Sequence, residues 1–99
     1  MNSVVKKKFL AALRSGNYNV SGSSLYSKDR FNIFGVLCKV TGNLTNRNTR
    51  QMYPRINSSN EVQEFMGLSP QTQERLMSIA STDGLQNAIR YISRNVKAR

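Results

Sequence analysis

Cys38 is the only cysteine in 99 residues, and the chain has no histidine. A cysteine nucleophile needs a base or an electropositive, open setting that stabilises its thiolate. Cys38 has Lys39 beside it but is flanked by Val36, Leu37 and Val40. Free cysteine behaves as a small hydrophobe and is among the most buried residue types. Cys38 therefore reads as core, not as a reactive group. Without histidine the chain can build neither a Cys-His nor a Ser-His-Asp site. One cysteine and no histidine also rule out an ordinary zinc site.

The carboxylates are the other candidates for chemistry. Glu61 and Glu64 stand one helical turn apart, with Glu74 and Asp83 elsewhere. Glu61 and Glu74 fall in the opening turns of predicted helices, where a negative charge stabilises the helix dipole. That role accounts for them without acid–base catalysis. Ser21 to Ser24, "SGSS", lacks the lysine spacing and the flanking strand of a phosphate-binding loop. The sequence points to no catalytic residue, no metal ligand set and no cofactor.

What remains is charge. Fifteen Lys and Arg stand against five Asp and Glu, a net +10. Solubility alone usually needs about 2 to 8 charges of mixed sign. The excess predicts an acidic partner, either a protein or a nucleic acid. The candidate contact residues are Lys6, Lys7 and Lys8 near the N-terminus, Arg47, Arg50, Tyr53 and Arg55 in the middle, and Asn87, Arg90, Arg94 and Lys97 near the C-terminus.

The elements that carry these residues follow from periodicity and punctuation. Ser3 to Arg14 predicts a helix with Val5, Phe9, Ala12 and Leu13 on one face, Ser3 as its cap and Gly16 as its stop. Lys6 to Lys8 then lie near the positive end of that helix's dipole, a mildly unfavourable arrangement. Residues 17–30, "NYNVSGSSLYSKDR", read as a flexible internal loop, with Leu25, Tyr26 and Tyr18 as anchors. Phe31 to Val40, "FNIFGVLCKV", is the one long apolar block. Its β-branched and aromatic content suits a buried strand. Ile33, Val36, Leu37 and Val40 at helical spacing favour a short buried helix, with Gly35 permitting close approach of a neighbour.

Thr45 to Ile56 offers a short β-ribbon limited by Pro54. Glu61 to Met66 reads as a helical turn or two. Ser69 and Pro70 open a clear helix. Thr82, Asp83 and Gly84 form a turn before a second stripe of Leu85, Ala88, Ile89, Ile92 and Val96. These two helices should pack as a hairpin. The expected architecture is one domain over 1–99, mainly α with a small α+β variant as the alternative, centred on the Phe31 to Val40 block. No apolar run is long enough to span a membrane. The basic C-terminal helix is not read as a membrane-surface helix, because its apolar stripe is needed to close so small a core.

"FLAALRSGNYNV", "FGVLCKVTG" and "FMGLSPQTQERLMSIAS", followed by an amphipathic helix, together resemble a family of small, mostly uncharacterised proteins of tailed bacteriophages, cyanophages included. That family's pattern has an "ALRSG-Y" helix and a "CLGVLCD"-like box. Here Phe34 replaces a common leucine, Asn32 and Ile33 replace frequent cysteines, and Lys39 replaces a frequent aspartate. The resemblance implies a phage product acting in the host bacterial cytoplasm and carries no reaction with it. Two functions fit these readings. One is a non-enzymatic accessory protein that binds and modulates an acidic host protein. The alternative is a nucleic-acid-binding protein, in which Gln86, Asn87 and Arg90 face bases while Arg94, Lys97 and Lys6 to Lys8 meet phosphates.

Overall fold

The computed structural model describes residues 1–42, 44–46, 49–51 and 68–97. Helix α1 spans Ser3–Ser15. Its cap is Asn2, not Ser3: the Asn2 Oδ1 accepts hydrogen bonds from the amides of Val4 and Val5 at 2.8 and 3.3 Å. A side-chain carbonyl at this position satisfies amides that have no partner inside the helix. The helix ends where Gly16 turns left-handed, at φ 75°. Phe9 and Leu13 of the predicted face are buried, joined by Leu10, while Val5 and Ala12 are half-buried.

A two-stranded antiparallel ribbon follows, β1 (Tyr26–Ser27) with β2 (Arg30–Phe31), in the register Tyr26↔Phe31 and Ser27↔Arg30. The ribbon therefore leads into the apolar block, sharing Phe31 with it, instead of following it. Residues 45, 46 and 49–51 carry no strand, and residues 52–56 of the expected ribbon lie outside the described residues. Lys28 and Asp29 make the turn with φ of 50° and 63°. Positive φ at both central residues is the type I′ geometry that matches the twist of paired strands. Residues 17–30 are tied in at several points. The Phe31 amide donates to the Asn19 carbonyl at 2.8 Å and the Gly22 amide to the Phe31 carbonyl at 3.0 Å. On the other side Leu25 and Tyr26 donate to the carbonyls of Gln51 and Thr49 at 2.7 and 3.0 Å.

Helix α2 spans Ile33–Thr41, so the apolar block is helical from its third residue onward. Asn32 is its cap, with Oδ1 accepting from the Gly35 amide at 2.8 Å. The same residue ties the helix to the preceding loop, its backbone amide donating to the Ser24 carbonyl at 3.0 Å. Ile33 to Cys38 are all buried, and Gly42 ends the helix at φ 74°. A Cβ built on Gly35 would overlap the Leu25 carbonyl oxygen and lie 2.7 Å from its carbonyl carbon. Glycine is required there because the loop backbone runs directly over the helix.

Helix α3 (Pro70–Thr82) starts at Ser69, whose Oγ accepts from the Thr72 amide at 3.2 Å. Asp83 and Gly84 turn the chain into α4 (Leu85–Asn95). The two helices pack as a hairpin, and α1 packs against both α2 and α4. Ala88, Ile89, Ile92 and Val96 are buried and meet Leu76, Phe9, Leu13 and the α2 side chains in one core. The Cα radius of gyration of 12.1 Å is that of a compact chain of this length. No helix among the described residues is long and apolar enough to cross a membrane.

Candidate basic interface

Helix α4 is amphipathic because its apolar residues recur at helical spacing from Leu85 to Val96. The opposite side must then face outward. Gln86, Asn87, Arg90 and Arg94 are exposed on it, and Lys97 is exposed just beyond its end. Arg90 and Arg94 are one helical turn apart and so share a surface.

The N-terminal lysines are brought to the far end of this helix. Lys6 is half-buried, and its Nζ donates to the carbonyls of Val96 at 2.6 Å and Ser93 at 3.3 Å. The Met1 amine donates to the Lys97 carbonyl at 3.2 Å. The last carbonyls of a helix have no partner inside it and carry its negative dipole end. Lys6 satisfies two of them from a different helix. Its position near the start of α1, unfavourable for α1's own dipole, is thus offset at the end of α4. Lys7 and Lys8 remain exposed. Among the described residues, no lysine or arginine is ion-paired to an acid.

The sequence-derived candidates divide accordingly. Lys7, Lys8, Arg90 and Arg94 are exposed on two helices that touch, and Lys97 is exposed just past the end of the second. Lys6 joins those helices and spends its ammonium doing so. Asn87 is exposed, but its Nδ2 donates to the Asp83 carbonyl at 2.8 Å. Arg50 is exposed on the segment beside β1, away from the helix pair in sequence and in hydrogen bonding. Arg47, Tyr53 and Arg55 lie outside the described residues, as do Glu61 and Glu64. Exposed cations that sequence reasoning left aside are Lys28 and Arg30 on the ribbon, with Arg14, Lys39 and Arg75 on helices. Lys28 and Arg30 fell within a stretch that reads as a linker; the clue was "SKDR" alternating charge across a tight turn.

Of the described residues weighed for chemistry, Cys38 is a packing group and Glu74 and Asp83 are surface groups. Cys38 is fully buried, and burial pushes its thiol up to about 12. A thiol in that state is protonated at neutral pH and has no open face to a substrate. Glu74 and Asp83 are exposed. The Asp29 carboxylate accepts a hydrogen bond from the Tyr26 hydroxyl at 3.0 Å, which, with the charge of Asp29, holds the Tyr26 phenol above its ordinary range. Among the described residues no three potential metal ligands come together.

Over residues 1–94 the chain matches the family described as "Domain of unknown function (DUF8296)", and it belongs to that family. No curated protein and no solved structure matches it.

Proposed function

We infer that this member of the DUF8296 family is a non-enzymatic binding protein that docks an acidic protein partner on the outer surface of α1 and α4. The observation that carries the reading is the bond from Lys6 to the end of α4. It holds Lys7 and Lys8 on an element fastened to the one that bears Arg90, Arg94 and Lys97, with no acid neutralising them among the described residues. Unpaired cations on joined, rigid elements raise association rates and select for an opposite charge. Arginine is also the cation most favoured in protein interfaces.

The protein reading is preferred to the nucleic-acid one because Lys6, expected at a phosphate, is engaged by α4, and one hydrogen of the exposed Asn87 amide is donated to the Asp83 carbonyl. The phage-like sequence elements support a specific setting. In it the protein is a phage accessory factor in the bacterial cytoplasm, and its partner is a host protein that it modulates.

The test is affinity capture from nuclease-treated bacterial lysate, with a triple charge reversal at Arg90, Arg94 and Lys97 as the comparison. The reading expects an acidic protein that the wild type retains and the variant loses. Log-linear loss of DNA or RNA binding with salt, and no protein retained, would favour nucleic acid instead.

A further inference from the structure

The serine loop and the ribbon turn border a surface depression of about 460 Å³. Its side chains are the hydroxyls of four serines and the two cations Lys28 and Arg30, with Gly22 completing the wall. Among the described residues no carboxylate lines it. The polar side-chain groups of this lining are hydroxyl, ammonium and guanidinium, a donor-rich set suited to an oxyanion.

The backbone brings these groups together. A Cβ on Gly22 would come 3.3 Å from Arg30 Cβ, so the missing side chain lets the serine loop lie against β2. The Gly22 amide bonds the Phe31 carbonyl at 3.0 Å and holds it there. The turn that presents Lys28 has positive φ at two residues that are not glycine. Asn-Gly would be the usual choice for that geometry. Asp29, the one acid of the turn, accepts the Tyr26 hydroxyl and does not line the depression.

The donors divide into used and unused. Ser21 gives its proton to the Asn19 Oδ1 at 2.8 Å. The hydroxyls of Ser23, Ser24 and Ser27 and the backbone amides of Ser23 and Ser24 form no hydrogen bond among the described residues. Unbonded amides in sequence beside a guanidinium are a recurring means of holding phosphate.

We propose that the depression between the Ser21–Ser24 loop and the Lys28–Asp29 turn binds the phosphate group of a small organic monoester. Arg30 and Lys28 neutralise the dianion, and the free serine donors fix its oxygens. The volume suits a ligand larger than the bare anion.

The experiment is an amide NMR titration of the full chain at constant ionic strength. A nucleoside 5′-monophosphate and inorganic phosphate are the two probes, with chloride as the reference. Saturable shifts at Ser23, Ser24 and Lys28 are expected from both. Tighter binding of the nucleotide supports an ester ligand, and equal binding of the two probes would overturn the ester assignment, leaving a site for the bare anion. Arg30→Gln should weaken binding about tenfold, the loss of one charge-assisted contact. Lys28→Gln, on the exposed turn, gives the same test should Arg30→Gln disturb the ribbon. Arg75→Gln, on α3, should change nothing. Absence of saturable shifts at those amides, or equal weakening by Arg75→Gln, would overturn the proposal.

Discussion

The Lys6 ammonium sits 2.6 Å from the carbonyl oxygen of Val96, ninety residues away in sequence. One side chain thereby closes the end of α4 and fastens the first helix to the last. Removing its charge while keeping its stem, in Lys6→Met, should lower stability by about 1 kcal/mol. In a domain of this size that lowers Tm by about 4 to 8 °C. Lys7→Met and Lys8→Met, on exposed neighbours, should leave the thermal midpoint nearly unchanged. Equal effects from all three variants would mean that Lys6 adds only generic charge.

Gly35 and the Leu25 carbonyl supply a second test. Gly35→Ala must push loop backbone away from α2, and overpacking of this kind costs about 1–3 kcal/mol. The neighbour is main chain, so side-chain rotation cannot relieve it. Gly42→Ala meets nothing within 4 Å and should cost about 1–2 kcal/mol, the penalty of its left-handed φ. Denaturant melts of the two variants measure the difference; a tolerated Gly35→Ala would contradict the contact.

Much of this was legible in the sequence, because local punctuation and periodicity agree. Gly16, Gly42, Ser69 and Gly84 bound helices that the apolar spacing already predicts. Cys38 is core because hydrophobic residues surround it in the sequence as in space. Asn32 was harder to read. A polar residue inside an apolar run looks like a defect until its cap bond to Gly35 is seen. The ribbon at Tyr26–Phe31 is not legible in the sequence because Lys28-Asp29 lacks the glycine that usually marks a type I′ turn. The role of Lys6 depends on a partner at the other end of the chain, which no local pattern encodes. The same holds for the contact of α1 with α4: their exposed cations were named from sequence, but only packing brings the two helices together.

The Cys38 thiol carries a pH dependence of definite sign. Burial raises it to about 12, against an ordinary value of 9.0. Between those values the unfolded chain releases a proton that the folded chain keeps. Stability should therefore hold below about pH 9 and fall as pH rises toward 12, by up to about 1.4 kcal/mol per pH unit from this group. Cys38→Ala removes that component of the slope, though it loses packing as well. Chemical melts across this range, wild type against variant, measure it. A bulky thiol reagent should label Cys38 only on unfolding; fast labelling of the native protein would show that the sulfur is open.

Reversing Arg90, Arg94 and Lys97 to glutamate should leave the fold intact, since all three are exposed and outside the core. Circular dichroism should show an unchanged helical spectrum. Loss of folding would mean that this face supports the structure as well as presenting charge.

Calorimetric titration of the acidic protein captured by the wild type, against wild type and this triple variant, tests the central claim most directly. The account predicts saturable binding to the wild type and a loss of at least about tenfold in affinity for the variant, equivalent to about 1.4 kcal/mol. Equal affinity for both proteins would contradict it.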